Sequence, residues 1–349
     1  MLYFVQIATF FEESSLKELD GMVKFKIIDR QLNNLIIETG GNLLKAIGKK
    51  KATFVYSAFP LYSNGLISKN DYLGSIYKAL LKAVKGSGIA KDEVIRLECY
   101  DINNREGYSA KDLEVRLGKM LIEDGYTADL INPVRFVYLI LLNGTCYIGQ
   151  EKYENKSRVL NPLRLYSQTE HTSRAEMKIA EAFESFGIKS SGIAIDLGAA
   201  PGGWSKFLAR TGFKVMAVDT AKLDYKSLKD AGLKVVVDPK SLQKALDECN
   251  IVHVRARAAD FLKKANGIGI DLLADDMNMD CRSSSAEVLK YASLMRKGSV
   301  LIMTIKCITR NAPKYVAQAR KMLSAKFSIK AIKVLPVNRQ EVTLYAIRK

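Results

Sequence analysis

The sequence predicts an α/β protein whose C-terminal part folds as a mostly parallel sheet with helices on both faces. From Ile193 onward, short apolar segments alternate with helical patterns, as in βαβ units. The first apolar segment runs into the glycine-rich stretch Gly198–Gly203, and a helical pattern follows. Only Leu335–Glu341 separates the last two apolar segments. That is too short for a crossover helix, so the last strand should pair antiparallel.

The individual elements of the C-terminal part follow from this alternation. The predicted strands are Ala194–Leu197, Lys214–Val218, Lys234–Val237, Ile251–Val254, Asp271–Ala274, Ser299–Ile305, Ile329–Val334 and Val342–Ile347. Helical spacing predicts helices over Ser173–Ser185, Ser284–Met295 and Ala312–Ala325.

The N-terminal part predicts two smaller α+β elements. The first has apolar runs at Leu2–Ala8, Val23–Ile28, Asn34–Glu38 and Thr53–Ala58, and a short helix over Leu43–Lys51. The second has helices over Tyr72–Lys85 and Ser109–Asp124, and strands over Val94–Asp101, Val134–Leu142 and Thr145–Gln150. Asn143-Gly144, between two apolar runs, predicts a hairpin turn. A polar stretch with little periodicity follows up to residue 172 and predicts a linker.

Length and composition predict a soluble protein of two or three domains. The chain has 349 residues, of which 48% are hydrophobic and 26% charged. No segment approaches 18 uninterrupted apolar residues, and Met1–Ile7 is typical of a first strand and not of a signal peptide. The five cysteines are scattered and show no C-x-x-C, which predicts mostly buried thiols in a reducing compartment, the cytoplasm. With only His171 and His253, a metal centre is not expected.

The net charge points to a polyanionic partner. Lysine and arginine number 54 against 37 acidic residues, a formal net charge of +17. RNA or DNA is the usual partner of so basic a protein. A solvated basic surface without a nucleic-acid role is the alternative.

The glycine-rich stretch is more specific than the composition. Residues 193–205 read Ile-Ala-Ile-Asp-Leu-Gly-Ala-Ala-Pro-Gly-Gly-Trp-Ser, which matches neither G-x-G-x-x-G nor a Walker loop. The stretch closely resembles the cofactor loop of FtsJ/RlmM-like S-adenosylmethionine-dependent methyltransferases. The resemblance implies a Rossmann-like methyltransferase domain over residues 173–349. It also implies a cofactor site that includes Asp196, Gly198, Ala199, Ala200, Pro201, Gly202, Gly203 and Trp204. An ordinary strand-to-helix turn of another α/β protein is the alternative.

A second, looser resemblance concerns the N-terminal part. Tyr108–Leu113, Asn132-Pro133, Asn143-Gly144 and Tyr147–Gly149 resemble motifs of a THUMP domain, an RNA-binding module of tRNA- and rRNA-modifying enzymes. The resemblance implies a THUMP domain over residues 66–152, preceded by a ferredoxin-like element over 1–65 and followed by a linker over 153–172. An unrelated α/β accessory domain is the alternative.

Two further acidic positions are candidates for cofactor contacts. Asp219 follows a predicted strand 21 positions after Gly198, where an acid can bind ribose hydroxyls; it could also cap a following helix. Asp260-Phe261 resembles the family's Gly-Asp-Phe-like motif, whose acid contacts the adenine amine. Here Ala259 stands in place of the glycine.

The ribose methyltransferases of this group share a Lys-Asp-Lys-Glu tetrad, and the resemblance implies Lys178, Asp276, Lys306 and Glu341 for these roles. The first three lie at ends of predicted elements that could meet at the carboxyl edge of the sheet. Asp276 is also a candidate cofactor contact. Strand alternation allows only one of Asp275 and Asp276 to face the site, and the following methionine favours Asp276.

The tetrad suits methyl transfer to a ribose 2′-hydroxyl, which must lose its proton to become a good nucleophile. Lys306 is the predicted base, with its pKa lowered by burial and by the neighbouring cation Lys178. Asp276 would orient the lysine and the hydroxyl, and Glu341 would hold Lys178 or the substrate. No metal is needed. Cys307 is expected to be a packing residue.

The predicted function is therefore S-adenosylmethionine-dependent 2′-O-methylation of a structured RNA. One alternative is a THUMP-type guanine methyltransferase, although Asp275-Asp276-Met277-Asn278 lacks the proline and aromatic residue of those enzymes. Another is a non-catalytic RNA-binding protein. The sequence does not distinguish rRNA from tRNA, and it does not indicate the nucleotide or the oligomeric state.

Overall fold

The computed structural model describes residues 1–102, 107–130, 132–152, 173–307 and 311–349, apart from the side chain of Lys50. Its contacts divide the chain into an N-terminal unit, Met1–Leu160, and a C-terminal unit, Asn161–Lys349. The predicted linker over residues 153–172 lies outside the described residues.

The N-terminal unit is built on seven strands. These are β1 (Leu2–Ile7), β2 (Phe25–Gln31), β3 (Asn34–Thr39), β4 (Val55–Leu66), β5 (Ile95–Asp101), β6 (Arg135–Leu142) and β7 (Thr145–Lys152). Its described helices are α1 (Glu12–Asp20), α2 (Leu43–Lys50), α3 (Tyr72–Gly86) and α4 (Ala110–Glu123), with a 3-10 turn over Thr9–Phe11. The strands and helices predicted here are found within a few residues, except that β4 is much longer than expected and α1 was not predicted.

All seven strands join one sheet, in the order β2-β3-β1-β4-β7-β6-β5. The predicted strand stopped at Ala58, before Pro60, but β4 continues to Leu66 and pairs first with β1 and then with β7. The predicted boundary between residues 65 and 66 therefore falls inside a strand that joins both predicted domains. The ferredoxin-like and THUMP assignments stay predictions.

The sheet of the N-terminal unit curls so that β2 comes into contact with the β6–β7 hairpin. Tyr147 Oη and Asn143 Nδ2 donate to the two carboxylate oxygens of Asp29, at 2.9 and 2.7 Å. The helices pack on the outer face, where Leu80, Leu113 and Leu139 share one core. As predicted, Asn143 and Gly144 turn the hairpin, with φ values of 46° and 80°.

The C-terminal unit has eight strands. They are β8 (Gly192–Leu197), β9 (Phe213–Val218), β10 (Val235–Val237), β11 (Ile251–Val254), β12 (Ile270–Asp275), β13 (Met295–Lys306), β14 (Phe327–Lys333) and β15 (Glu341–Arg348). The described helices are α5 (Arg174–Phe186), α6 (Gly203–Arg210), α7 (Tyr225–Asp230), α8 (Leu242–Glu248), α9 (Ala258–Lys264), α10 (Cys281–Tyr291) and α11 (Ala312–Leu323).

The strand order of this second sheet is β10-β11-β9-β8-β12-β13-β15-β14. The first six strands run parallel, and β15 pairs antiparallel with both β13 and β14. This confirms the predicted mostly parallel sheet with an antiparallel last strand. Because β8, β12 and β13 are adjacent and parallel, the residues at their carboxyl ends lie side by side, where open α/β sheets bind ligands.

Candidate active site

A tight glycine loop connects β8 to α6 at the carboxyl edge of the sheet. Gly198 has a φ of 75°, and a Cβ at this position would lie 2.9 Å from the Cα of Met277. Only glycine therefore allows the loop to pass this close to the chain that follows β12. The amides of Gly198 and Ala199 donate to the Val218 carbonyl, at 3.0 and 3.3 Å, which fastens the loop to the end of β9.

The other end of the loop packs against the first turn of α5. A Cβ on Gly203 would lie 2.8 Å from Ser173 Oγ and 2.9 Å from the Glu176 amide nitrogen. Ser173 caps α5 by accepting from that amide at 3.1 Å. The glycine loop and the helix that carries Lys178 thus hold each other in place.

Asp196 lies beneath the loop and is fully buried. Ser205 Oγ donates to its Oδ2 at 2.6 Å, while its Oδ1 is buried without a hydrogen-bond partner. Burial raises the pKa of Asp196 to about 7. The predicted contact Trp204 is likewise buried, and its indole nitrogen has no hydrogen-bond partner.

Asp219 lies at the end of β9 and is half-buried. Its two oxygens accept from the amides of Ala200 and Ala221, at 3.0 and 2.9 Å. The alternative that it caps the next helix is wrong, because α7 begins at Tyr225 and is capped by Asp224. Asp219 instead connects the glycine loop to the segment after β9.

Lys178, Asp276, Lys306 and Glu341 form a closed ring of ion pairs. Lys178 Nζ lies 2.8 Å from Asp276 Oδ2 and 2.9 Å from Glu341 Oε1. Lys306 Nζ lies 2.7 Å from Asp276 Oδ1 and 2.9 Å from Glu341 Oε2. We call this arrangement the ion ring. The antiparallel register of β13 and β15 sets Lys306 directly opposite Glu341.

Residues 171–331 match the family of FtsJ-like methyltransferases. An uncharacterised protein of Methanocaldococcus jannaschii is 29% identical over 180 residues, which cover 49% of this chain and 45% of the relative. The ribosomal RNA large subunit methyltransferase M of a Shewanella species is 28% identical over 216 residues, covering 56% and 58%. The chain thus spans about half the length of these relatives.

We call residues 171–331, the part of the chain that matches this family, the FtsJ-like domain. Among solved structures, TrmN of Thermus thermophilus is similar with a TM-score of 0.38 and 16% identity, and both chains are covered in full.

The four members of the ion ring differ in their access to solvent. The side chains of Lys178 and Glu341 are only 5% and 7% exposed. Those of Lys306 and Asp276 are 21% and 17% exposed. A molecule approaching the ion ring from solvent therefore meets Lys306 and Asp276 first, whereas Lys178 and Glu341 lie deeper.

The two neighbouring aspartates after β12 have different surroundings. Asp276 points at the two lysines, as preferred from the sequence. Asp275 is fully buried, accepts from Ser284 Oγ, and accepts from the Met277 amide at 3.0 Å. Burial raises the pKa of Asp275 to about 7, whereas the two lysines outweigh burial and lower the pKa of Asp276.

The expectation that Lys306 has a lowered pKa is wrong for this arrangement. Burial does act to lower the pKa, but Asp276 and Glu341 outweigh it and raise the pKa above its ordinary value. Spacing along the chain could not show that Lys306 contacts two carboxylates. In the ring as it stands, Lys306 is protonated and cannot accept a proton.

Asp260 and Phe261 do not lie directly at a strand end. Asp260 is exposed in the first turn of α9, six residues after β11 ends, and Phe261 is fully buried in the core. Arg255 and Ala256 occupy the positions next to the strand end. Contact of Asp260 with a cofactor stays a prediction.

Arg174 is a site residue that sequence reasoning missed. Its Nη2 lies 3.9 Å from Glu341 Oε1, at the rim of the ion ring, and its side chain is 42% exposed. The available signal was its position four residues before Lys178, which places both on one face of α5.

The residues at this edge fit S-adenosylmethionine. The fit rests on three observations: the close backbone approach at Gly198, the unpartnered Asp196 Oδ1 and Trp204 Nε1, and the carboxylate of Asp219 beside the loop.

In the described part of the chain, no histidines, cysteines or acids are grouped in a way that could hold a metal ion. No helix there is long and apolar enough to cross a membrane. All five cysteines are buried free thiols.

Proposed function

We propose that this protein is an S-adenosylmethionine-dependent methyltransferase that acts on a ribose 2′-hydroxyl of a structured RNA. The observation that carries the proposal is the ion ring at the carboxyl edge of the FtsJ-like domain. Its more exposed lysine, Lys306, is also the base predicted from the sequence. Two lysines and two carboxylates converge within hydrogen-bond distance beside a glycine loop that fits this cofactor.

When bound, the cofactor supplies a methyl group on a positively charged sulfur. Lys306 would take the proton of the 2′-hydroxyl, and Asp276, whose Oδ1 accepts from Lys306 Nζ at 2.7 Å, would orient that lysine toward the hydroxyl. Lys178, held by Asp276 and Glu341, would keep the carboxylates in position. Positioning of the two reacting groups would supply much of the remaining rate increase.

Asp219 would hold the cofactor ribose, and Asp196 and Trp204 would offer their unpartnered polar atoms to its polar groups. We further propose that the N-terminal unit is the THUMP-type module that binds the RNA, in agreement with the net charge of +17. A large-subunit rRNA is the first substrate to test, because a relative is named for that activity. We propose the cytoplasm as the place of action.

The test is transfer from methyl-labelled S-adenosylmethionine to separate rRNA and tRNA pools from cells that lack the protein. A 2′-O-methyl group blocks alkaline cleavage at its own phosphodiester, so the label should appear in alkali-resistant dinucleotides. Label in ordinary mononucleotides would show base methylation and contradict the ribose assignment. Cofactor binding without transfer to either pool would favour a non-catalytic RNA-binding protein.

A further inference from the structure

The ion ring is balanced in charge. Lys178 and Lys306 each lie within 3.0 Å of both carboxylates, Asp276 and Glu341, so two positive and two negative charges satisfy one another. The ring also lies largely out of water, since its most exposed member is 21% accessible. A further charge placed beside it is therefore poorly screened.

Charged or titratable groups on each of the elements packed around Lys306 lie near it. They are Lys178 and Arg174 on α5, Asp275 and Asp276 at the end of β12, Glu341 at the start of β15, and Cys307 next in the chain. Burial raises the pKa of Cys307 to about 12 and the pKa of Asp275 to about 7. Near pH 9 the thiol thus keeps its proton and the aspartate has already lost its own.

In the proposed reaction, the sulfonium of the cofactor brings one more positive charge next to the ion ring. A methyl carbon must lie about 3 Å from the attacking oxygen, and that oxygen must hydrogen-bond to Lys306 Nζ at about 3 Å. The sulfonium is then within about 7 Å of Lys306. At that distance, in a place so poorly screened by water, a unit positive charge opposes the two carboxylates and lowers the pKa of the Lys306 ammonium group.

We infer that Lys306 releases its proton when a sulfonium cofactor binds, and that the ring regains it from the ribose hydroxyl during transfer. The inference rests on the proposed function. With the sulfonium bound and Lys306 neutral, the net charge of ring and cofactor is zero. The 2′-oxygen then bonds to the methyl carbon, the carbon–sulfur bond breaks with its electron pair on sulfur, and the hydroxyl proton moves to Lys306. The thioether is neutral and the ring is again balanced, so the net charge stays zero.

Proton release on cofactor binding would explain how Lys306 can act as the base although the ion ring keeps it protonated. In the ring alone, Asp276 and Glu341 keep Lys306 protonated. The positive charge of the cofactor opposes those carboxylates only while the methyl group is still on sulfur. The base is therefore available before transfer and not after it.

The test is isothermal titration calorimetry of the full chain in buffers of different ionisation enthalpy, which counts the protons released per ligand bound. S-adenosylmethionine is compared with S-adenosylhomocysteine, which lacks the positive charge. Lys306→Arg is the matched variant, because arginine fills the position and keeps its proton. Subtracting the number of protons that Lys306→Arg releases from the number that the wild type releases removes the contribution of the ligand's amine and of the buried aspartates.

For S-adenosylmethionine, the wild type should release more protons than Lys306→Arg, and this difference should grow as the pH rises from about 7 to about 9. For S-adenosylhomocysteine it should stay near zero at both. Equal differences for the two ligands, or none for either, would overturn the inference.

Glu341→Gln is a second variant, and it removes one of the two carboxylates that hold the Lys306 proton. It should move the pH window of proton release to lower pH, and an unmoved window would also contradict the inference. An enzyme that methylates ribose without this proton release would overturn the inference alone. Proton release without ribose methylation would overturn the proposed function alone.

Discussion

In the C-terminal unit, buried and half-buried charged side chains meet at one edge of the sheet, whereas the two buried glutamates found in the described part of the N-terminal unit lie along its strands. In the C-terminal unit Lys178, Asp276 and Glu341 meet where parallel strands end. In the N-terminal unit, buried Glu98 on β5 accepts from Tyr100 Oη at 2.9 Å, and buried Glu151 on β7 accepts from Tyr138 Oη at 3.2 Å.

The difference follows from strand direction. Parallel neighbours end at the same edge, so polar residues from distant parts of the sequence converge there. In the N-terminal sheet all neighbouring strands except β5 and β6 are antiparallel, so most neighbouring strands end at opposite edges. The buried glutamates of that sheet have local partners, which are tyrosine hydroxyls and, for Glu98, also Arg96, whose Nε lies 3.4 Å from Glu98 Oε1. We therefore expect the charged residues at the edge of the C-terminal sheet to act in catalysis. The buried charges of the N-terminal sheet should mainly stabilise its fold.

The largest effect should come from Lys306→Ala. Removing the proposed base should lower methyl transfer by about a thousandfold. The dissociation constant for S-adenosylmethionine should change little, because the glycine loop and Asp219 stay in place. Single-turnover transfer and calorimetric binding measure the two effects.

Lys297→Ala is the control for this variant. Lys297 lies on the same strand, β13, near its opposite end, and is exposed. If both Lys297→Ala and Lys306→Ala keep full activity, Lys306 and the ion ring take no part in methyl transfer.

Gly198→Ala should destabilise the loop by about 3 kcal/mol, since it combines a positive φ with a close backbone contact at Met277. Cofactor affinity should fall with it. Gly187→Ala is the matched control, because Gly187 also has a positive φ but no atom within 4 Å of the added Cβ. Denaturant unfolding and calorimetry measure both. Equal losses in the two variants would show that the contact with Met277 does not matter.

Asp29→Ala should destabilise the N-terminal unit by about 2 kcal/mol, because it removes the acceptor of Tyr147 Oη and one of the acceptors of Asn143 Nδ2. Hydrogen exchange in β2 should become faster, while cofactor affinity stays unchanged. Asp20→Ala, which removes only an exposed pair with Lys24, should cost less than about 1 kcal/mol. A fall in cofactor affinity with Asp29→Ala would break the contrast between the two units.

Asp275→Asn should change the pH dependence of stability. The folded-state pKa of Asp275, about 7, is above its ordinary 3.8, so between these values the folded protein binds more protons than the unfolded chain. Stability therefore falls as pH rises through this window, by about 1.4 kcal/mol per pH unit for each such group. Asp196 contributes a second group of the same kind.

In the variant, the fall in stability between about pH 5 and about pH 6.5 should be less steep than in the wild type by about 1.4 kcal/mol per pH unit, measured by denaturant unfolding. Exposed Asp230→Asn serves as the control and should leave the slope unchanged. A slope in Asp275→Asn equal to that of wild type would mean that Asp275 is ionised throughout this range in the folded protein.

Much of the secondary structure could be predicted because its signals are local. Alternating apolar segments indicated the strands of the C-terminal sheet, and Asn143-Gly144 indicated the hairpin because it supplies two positive φ angles. Helix α1 was missed since Ser14 and Ser15 occupy buried positions there, which hides its apolar face. The prediction ended strand β4 at Ala58, before Pro60, because proline is a local signal for the end of a strand. Long-range pairing with β1 and β7 keeps the chain extended beyond this point.

By itself, then, the sequence determined the elements, the glycine loop and the residue types at the candidate site. These depend on neighbours within a few positions and on a motif of consecutive residues. Tertiary structure alone decided that Glu341 lies opposite Lys306, that Asp276 and not Asp275 faces the lysines, and that Asp260 is at the surface. It also decided the protonation of Lys306. A pKa depends on which charges lie within a few ångströms, and here those charges come from strands far apart in the sequence.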